Sequence, residues 1–234
     1  TEGLRFTNCF ATNAICGPAR ASVLTGKYSH RHGFARNAQT FDGDQWAFPK
    51  ALRSAGYATA LIGKWHLSSD PQGFDHWSIL PGQGLYQDPW FLENGERKRV
   101  KGYVTDLITS KTLAWLDRWQ AEDRAKDRPF LLMCQHKAPH RNWQPAERHA
   151  QLYEDLDIPL PATFDDDWSH RSPAAAGTTM TIERDLTEND VKGKPPEELD
   201  AAARKRWHYQ RYIKDYLRCI AAVDESVGTV LQWL

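Results

Sequence analysis

The sequence predicts an α/β fold in which a mixed, mostly parallel sheet is flanked by helices. Two short apolar runs, Tyr57 to Gly63 and Phe130 to Cys134, are typical of buried strands. Apolar residues recur every three or four positions over Val104 to Trp119 and over Leu199 to Leu234, which predicts helices. Strands that alternate with helices favour a layered fold with a parallel sheet.

The shorter elements near the start of the chain follow from local patterns. Apolar and polar residues alternate sufficiently over Leu4 to Phe10 to predict a short strand. Pro18 to Leu24 is predicted to be a short helix, because proline lies near its start and Gly26 follows its end. Phe48 to Ser54 is predicted to be a second short helix that stops at Gly56.

Two segments lack a regular spacing of apolar residues and are predicted to be loops. Pro71 to Asn94 is rich in glycine, proline and aromatic residues, and Asp155 to Pro196 is rich in proline and aspartate, with room for short helices. No linker divides the chain, so residues 1–234 are expected to form part of one domain. The chain has no initiator methionine and ends on an amphipathic stretch, and we therefore expect it to be an internal piece of a longer protein.

Composition excludes several classes of protein. The 234 residues include 30 basic and 30 acidic ones, and 41% are hydrophobic, so the chain is neither disordered nor collagen-like. The chain has no excess of basic residues, so its composition does not indicate a nucleic-acid partner. No apolar run approaches the roughly 20 residues of a membrane span. The four cysteines do not have the spacing of a disulfide framework or a zinc finger.

The segment Cys16-Gly17-Pro18-Ala19-Arg20 is the first candidate for chemistry. Cys16 is expected at the mouth of the predicted helix, where free N–H groups and the helix dipole favour anions. Arg20, one turn further on, can direct its guanidinium to the same place. These residues indicate a nucleophile with an oxyanion clamp, although an inert buried cysteine remains an alternative. Three residues separate Cys16 from Arg20, whereas a tyrosine-phosphatase-like loop needs five.

A second candidate, Gly63-Lys64-Trp65-His66-Leu67, follows the predicted strand Tyr57 to Gly63. The two-residue period of a strand predicts that Lys64 and His66 share one face. Lysine offers a point charge for an anion, and histidine can hold or deprotonate a nucleophile. On these residues alone, a surface lysine with a structural histidine remains open.

A third candidate follows the predicted strand Phe130 to Cys134. Polar residues after the carboxyl ends of strands in open α/β sheets cluster at one edge, where ligands bind. His140 is a candidate acid for a leaving group, since histidine titrates near neutral pH. The candidate substrate-binding residues are His136, Arg141, Asn142 and Trp143, the last as a stacking face; a core histidine and rim residues are the alternatives.

These motifs resemble those of a known family. Cys-x-Pro-x-Arg followed by Ala-Ser-x-Leu-Thr-Gly resembles the first signature of the type I sulfatases, and Gly-Lys-Trp-His-Leu resembles the second. The resemblance covers most of the chain and implies an incomplete alkaline-phosphatase-like sulfatase core. Four further segments are similar to the N-acetylglucosamine-6-sulfatase branch: 73–77, 80–84, 102–106 and 136–143.

The resemblance implies a role for each catalytic candidate. Cys16 would be oxidised to formylglycine by a formylglycine-generating enzyme and would act, as the hydrate, as the nucleophile. Arg20 would stabilise it, Lys64 would clamp the sulfate and His66 would contact the formylglycine hydroxyls. His140 would assist the leaving oxygen. The implied reaction removes O-sulfate from a sulfated glycan, with 6-sulfated N-acetylglucosamine as the expected sugar.

Three other functions stay open at this stage. They are a sulfatase for another glycosaminoglycan sulfate, a non-catalytic glycan-binding relative, and a phosphoester hydrolase of the same superfold. The last would use serine or threonine as its nucleophile, and Cys16 stands against it. The resemblance also implies a periplasmic or secreted location.

The resemblance also implies a divalent metal, usually calcium, which the family binds through formylglycine and four side chains. Neither the family's adjacent aspartates nor its Asp-Asn pair matches a segment of this sequence, so Cys16 is the one metal ligand expected here. The run Asp165-Asp166-Asp167 matches no family ligand and is interpreted as a solvated acidic stretch. Because a hard cation takes six or more oxygen ligands, we expect the 234 residues to be inactive by themselves.

Overall fold

A computed structural model describes residues 4–178 and 180–234. The chain divides into two compact units. The first runs to Lys137 and includes Thr229–Leu234, and the second is Ala138–Gly228. The first unit contains helices α1 (Cys16–Thr25), α2 (Ser29–His32), α3 (Phe48–Ser54) and α4 (Val104–Glu122), a 3-10 turn at Arg124–Lys126, and strands β1 (Ala58–Lys64), β2 (His76–Leu80), β3 (Trp90–Glu93), β4 (Glu96–Arg99) and β5 (Phe130–Gln135).

The second unit is built from helices and connecting segments. It contains a 3-10 turn at Glu147–His149, the short helices α5 (Pro173–Ala176) and α6 (Glu188–Val191), and most of the 33-residue helix α7 (Ala201–Trp233). These short helices lie within the segment that the sequence predicts to be mainly loop, as expected.

The five strands form one mixed sheet in the order β4-β3-β2-β1-β5. β1 pairs in parallel with both β2 and β5, whereas β2–β3 and β3–β4 are antiparallel. Lys64 is level with Leu80 of β2, and Gly63 is level with Gln135 of β5. The carboxyl ends of three strands therefore meet at one edge, and the predicted mixed sheet is confirmed.

β1 has a strand on each side, β2 and β5, and every one of its residues is buried; from Ala58 to Ile62 its side chains are apolar or β-branched. Leu61 of β1 packs in one cluster with Ala21 and Leu24 of α1, while Ile108 of α4 lies beside Gly63. Each fully buried leucine or isoleucine contributes about 1.5–3 kcal/mol through loss of apolar surface from water. This packing fixes α1 and the end of β1 relative to each other.

Two predictions of secondary structure are wrong. Leu4 to Phe10 has no regular structure and is exposed, because no neighbouring strand pairs with its alternating residues. The segment Pro71 to Asn94 contains β2, which pairs in parallel with β1, and β3, which pairs with β2 and β4; neither strand has a hydrophobic period of its own. The helices and strands predicted at 48–54, 57–63, 104–119, 130–134 and 199–234 are confirmed to within a few residues.

The first helix differs in one detail from its prediction. It begins at Cys16 and not at Pro18, so the cysteine is the first helical residue, preceded by Ile15 in an extended conformation. Among the residues that the structure describes, no helix is long and apolar enough to cross a membrane.

Candidate active site

Cys16 is the centre of a polar cluster in the first unit. Its half-buried side chain lies in the first turn of α1 and receives a hydrogen bond from Asn37, whose Nδ2 is 3.2 Å from Sγ. Nδ1 of His66 is also 3.2 Å from Sγ, and Nε2 of Gln83 is 3.9 Å away. Together with Ala19, Arg20, Val23 and Gln135, Cys16 lines an open cavity of about 400 Å³.

The surroundings of Cys16 favour a negative charge. Burial raises the pKa of the Cys16 thiol, but the hydrogen bond from Asn37 and the positive charge of Lys64 act in the opposite direction and outweigh it. Hydrogen bonds from Gln83 and from the backbone of Gly17 add to this effect, and the pKa is lowered overall. The site is therefore electrostatically suited to an anionic group.

Arg20 joins the ends of two parallel strands. Its Nη1 donates to the backbone oxygen of Lys64, at 2.7 Å, and also to the side-chain oxygen of Gln135. Lys64 is the last residue of β1, and Gln135 is the last residue of β5. The guanidinium is thus fixed at the sheet edge where ligands of open α/β folds bind.

Lys64 is buried, with 2% of its surface exposed, and its Nζ donates to Oε1 of Gln83 at 2.5 Å. Burial lowers the pKa of Lys64, the Cys16 charge raises it, and the charges of Arg20 and Lys137 lower it further, to about 8. The ammonium is largely protonated at neutral pH, so it supplies a positive charge beside Cys16.

The strand-period argument for His66 is wrong. β1 ends at Lys64, and His66 adopts a left-handed backbone conformation with φ of 59°. This turn, and not strand alternation, directs the ring toward Cys16. The sequence places His66 in the right cluster for an incorrect reason.

Two glycines make this arrangement possible. A Cβ on Gly17 would lie 2.6 Å from a ring carbon of Phe34 and 2.8 Å from Oδ1 of Asn37, so this position must lack a side chain. Gly63 has φ of 109°, and a Cβ there would lie 1.9 Å from the backbone oxygen of Gln135. The absence of both side chains allows α1, β1 and β5 to approach closely.

His136 is partly buried near the end of β5, with Nε2 3.9 Å from Sγ of Cys134. Burial lowers the pKa of His136, so the ring is neutral at physiological pH. The adjacent Lys137 donates to the backbone oxygen of Gln83 at 3.2 Å and lies over the ring of Tyr86. Lys137 therefore adds positive charge to the cluster, and the sequence did not single it out.

The remaining predicted residues, 140–143, lie in the second unit. Nδ1 of His140 donates to the backbone oxygen of Arg141 at 2.6 Å, since a carbonyl oxygen can only accept. Trp143 has 8% of its surface exposed and packs its ring 4.6 Å from that of Tyr212. Arg141, Trp143 and Tyr212 help to line a mostly apolar cavity of about 180 Å³.

Sequence reasoning missed three amide side chains of the cluster around Cys16: Asn37, Gln83 and Gln135. Gln83 lies in a segment that resembles one sulfatase branch, but the strand before it was predicted to be loop, which hid its place at the sheet edge. Gln135 is the last residue of β5, where the strand-end rule could have found it. No sequence signal marks Asn37, which a loop brings to Cys16.

The donor set does not fit a cation without further ligands. In residues 4–178 and 180–234, no group of three or more His, Cys, Asp or Glu side chains could hold a metal ion. The side chains around Cys16 are amides, an imidazole and the cations Arg20, Lys64 and Lys137. The acidic run 165–167 lies in a different environment, where Lys205 pairs with Asp165 and Arg171 with Asp166.

Comparisons with known proteins agree with this geometry. The Sulfatase family model matches residues 1–234. The chain is 45% identical to an N-acetylglucosamine-6-O-sulfatase of Bacteroides thetaiotaomicron, over 100% of this chain and 49% of that protein. It is 27% identical to human N-acetylglucosamine-6-sulfatase, over 97% of this chain and 43% of that protein. The chain therefore spans about half the length of these curated relatives.

Solved structures with the same fold were also found. The structure of BT4656 in complex with its substrate D-glucosamine-2-N,6-O-disulfate matches with a TM-score of 0.91 and 43% identity, over 100% of this chain and 55% of that one. A phosphonate monoester hydrolase from Silicibacter pomeroyi matches with a TM-score of 0.64 and 21% identity, over 96% and 50%, and shares the fold alone. The chain belongs to the sulfatase family and has its alkaline-phosphatase-like fold.

Proposed function

We propose that the protein is a sulfuric ester hydrolase that removes O-sulfate from a sulfated glycan. One observation carries the proposal: Arg20, Lys64 and His66 surround the half-buried Cys16 in a site that favours negative charge. A sulfate ester is anionic and becomes more charged on its leaving oxygen as the bond to sulfur breaks. Fixed cationic donors stabilise such a transition state more than they do in water.

Each residue near Cys16 has a role that its contacts support. Lys64 is buried at the end of β1 and offers its ammonium to a sulfate oxygen in place of Gln83. Arg20 is held by the ends of β1 and β5, so its positive charge needs little reorganisation during the reaction. His66 lies close enough to Cys16 to hold or deprotonate an oxygen carried by that side chain.

The nucleophile is proposed to be Cys16 after oxidation to formylglycine by a formylglycine-generating enzyme. When present, the hydrated aldehyde supplies one hydroxyl that attacks sulfur and a second that expels sulfate and restores the aldehyde. The half-exposed position of Cys16 in the first turn of α1 supports this role, because an oxygen there lies close to the ring of His66 and to the backbone N–H of Gly17.

His140 is proposed to donate a proton to the leaving sugar oxygen. Its Nδ1 already carries the proton that is given to the backbone oxygen of Arg141, so Nε2 is the nitrogen that gains and loses a proton. A sugar alkoxide is a poor leaving group, and an acid at this point contributes about 10²–10⁴-fold to the rate.

Calcium remains a prediction from the family. Formylglycine at position 16 would be one ligand, and the other oxygen ligands would have to come from elsewhere in the protein, since the donors around Cys16 suit an anion. No step assigned to this chain's residues depends on the metal.

The proposed substrate is a glycan with a 6-O-sulfated glucosamine unit, N-acetylated as the first choice. Two comparisons support it: the sequence match to the bacterial N-acetylglucosamine-6-O-sulfatase, and the structural match to a protein whose substrate is a glucosamine 2-N,6-O-disulfate. His136, Asn142 and Trp143 are proposed to contribute to sugar binding, and a periplasmic or secreted location would suit such a substrate.

Mass spectrometry of the tryptic peptide Phe6–Arg20 tests the nucleophile. The protein would be produced in its native host or together with a formylglycine-generating enzyme. We expect Cys16 to resist alkylation and to carry the mass of an aldehyde, whereas the exposed Cys9 in the same peptide alkylates normally. If both cysteines alkylate fully, the non-catalytic glycan-binding alternative is favoured.

Activity assays on the full-length protein test the substrate. The assay compares 6-sulfated N-acetylglucosamine with 6-sulfated N-sulfoglucosamine and with 2-sulfated and N-sulfated sugars that lack the 6-sulfate. We expect release of sulfate only from the 6-sulfated sugars. Release from the 2-sulfated sugar alone would indicate a sulfatase for a different glycosaminoglycan position.

A further inference from the structure

Arg141 connects the predicted acid, His140, to a distant segment of the second unit. Its guanidinium forms a two-pronged ion pair with Asp190, with Nε 2.7 Å from Oδ1 and Nη2 2.6 Å from Oδ2. The same Nη2 donates to the backbone oxygen of Asp185. The backbone oxygen of Arg141 in turn receives the hydrogen bond from Nδ1 of His140. One residue therefore joins the carboxylate of Asp190 to the ring of His140.

Burial and several hydrogen bonds fix the carboxylate of Asp190 in the position that this contact needs. Its side chain is 3% exposed, and its Oδ2 also accepts hydrogen bonds from the backbone N–H and the hydroxyl of Thr187. The bond from the Thr187 N–H is one half of the capping box of α6, so the carboxylate is fixed to the start of a helix. A buried carboxylate with this many donors stays ionised and holds Arg141 in one orientation.

The side chain of Lys192 holds the same turn through the turn's backbone oxygens. Its Nζ lies 2.8 Å from each of the backbone oxygens of Asn142, Trp143 and Asp190, and 2.9 Å from Oδ2 of Asp215. Asp215 is itself buried and pairs with Arg218 on α7. Asp190 and Lys192 are two residues apart, and together they hold the segment from Arg141 to Trp143 by its side chain and by its carbonyl groups.

We propose that Asp190 and Lys192 are positioning residues for sulfate-ester cleavage, because they hold the turn that carries His140 in one conformation, with Arg141 as the link. The proposal rests on the proposed function and deepens it. It also gives Arg141 a role different from substrate binding, since its guanidinium is already occupied by Asp190 and by the Asp185 carbonyl.

A positioning role predicts a loss of rate and not of substrate affinity. In the full-length protein, Asp190→Asn and Lys192→Met are each expected to lower kcat on the 6-sulfated sugar by about 10- to 100-fold, a part of what a general acid supplies. KM is expected to change less than about threefold. Turnover of an aryl sulfate, whose leaving group needs no proton, is expected to fall far less than turnover of the sugar.

Hydrogen–deuterium exchange gives a readout that does not depend on activity. Peptides that cover residues 138–150 are expected to exchange faster in both variants, while peptides of the sheet keep wild-type protection. The matched control is Asp166→Asn, which breaks another two-pronged aspartate–arginine pair in the same unit, formed with the exposed Arg171. The control should leave kcat and the exchange of residues 138–150 unchanged.

Arg141→Lys adds a rescue test. A lysine keeps the charge but cannot form both bonds to Asp190, so it should restore only part of the kcat that Arg141→Gln removes. The double variant Arg141→Gln with Asp190→Asn should lose about as much as either single variant, because both act through one contact.

Three outcomes would overturn the proposal. They are unchanged kcat and exchange in Asp190→Asn, a rise in KM at constant kcat in Arg141→Gln, and equal losses on the sugar and the aryl sulfate with lower overall stability. If wild-type protein releases no sulfate from any ester, the proposed function fails. Unchanged exchange at 138–150 in the variants would then refute the positioning contacts separately.

Discussion

The cluster around Cys16 and the turn from His140 to Trp143 are held in different ways. Around Cys16, the positions are set by the carboxyl ends of the paired strands β1 and β5, which also bind Arg20 through Lys64 and Gln135. The His140 turn belongs to a unit with no strand among its described residues, and ion pairs from α6 and the residue after it hold it. The first region therefore depends on close backbone packing, whereas the second depends on charges.

The sharpest test of this difference is Gly63→Ala. The new Cβ would lie 1.9 Å from the backbone oxygen of Gln135, at a φ of 109° that L residues rarely adopt. Overpacking and backbone strain each cost about 1–3 kcal/mol, so we expect the free energy of unfolding to fall by about 2–6 kcal/mol. Urea denaturation of this chain measures the change.

Gly56→Ala is the matched control for that measurement. Gly56 also has a positive φ, of 93°, but no atom lies within 4 Å of its added Cβ. Only the conformational penalty remains, about 1–3 kcal/mol. Equal losses in the two variants would show that the approach of β1 to β5 does not limit the side chain at position 63.

Arg20→Lys is expected to have the next largest effect. Lysine keeps a positive charge but cannot reproduce the fork that binds the Lys64 carbonyl and Gln135. We expect kcat/KM of the full-length enzyme to fall by about 10²–10³-fold, as for the loss of one fixed donor to an anionic transition state. Steady-state kinetics on a 6-sulfated sugar measure it.

Arg53→Lys controls for the exchange of the two cations as such. Arg53 forms an exposed pair with Asp75 in the same unit, and surface pairs contribute about 0–1 kcal/mol. Its kcat/KM should stay within about threefold of wild type. A similar result for Arg20→Lys would mean that charge without geometry is sufficient at position 20.

Lys192→Gln tests the charge-dependent region. The substitution removes an ammonium that lies near three backbone oxygens and the buried Asp215. We expect the free energy of unfolding to fall by about 2–3 kcal/mol, because buried acceptors lose their donor. Lys194→Gln, which breaks a 3.6 Å pair between two exposed side chains, should cost less than about 0.5 kcal/mol.

The contrast also explains what sequence could predict. Periodicity predicted β1, β5, α4 and α7, because apolar residues at fixed spacing are sufficient to define buried elements. The two sequence motifs grouped Cys16, Arg20, Lys64 and His66, and in the structure these four side chains lie in one cluster, although a turn and not strand alternation places His66 there. The rule that functional residues lie at the carboxyl ends of parallel strands is effective for residues that end a predicted strand or directly follow it.

Contacts between distant segments could not be predicted from these patterns. β2 lacks a hydrophobic period and depends on parallel pairing with β1, so it was missed. β3 also lacks a period and depends on its chain neighbours β2 and β4. Asp190 lies 49 residues after Arg141, in a stretch that reads as polar loop, and nothing local shows which charge it meets. Trp143 was predicted to be a stacking face for sugar, and only the packed fold shows Tyr212 beside its ring.

The smallest expected effect is the pH dependence of the Asp190 pair. Burial raises the pKa of Asp190, but the hydrogen bonds from Arg141 and Thr187 and the charge of Arg141 outweigh it and lower the pKa to about 2. An unfolded aspartate has a pKa of about 3.9. The folded pKa is the lower one, so this contribution to stability is fully present above about pH 4 and is lost as pH falls through about 2.

The contribution that is lost at low pH is on the order of 2 kcal/mol. The Asp190→Asn variant lacks this contribution at every pH, because asparagine has no carboxyl group to titrate. The difference in unfolding free energy between wild type and Asp190→Asn should therefore be constant from pH 7 to 5 and should shrink as pH falls toward 2.5. Because the carboxylate is buried, 0.5 M salt should change that difference little, whereas it should weaken the exposed pair that Asp166→Asn removes. A difference that stays constant down to pH 2.5 would mean that Asp190 is not ionised against Arg141, and the charge-held description of the His140 turn would then be wrong.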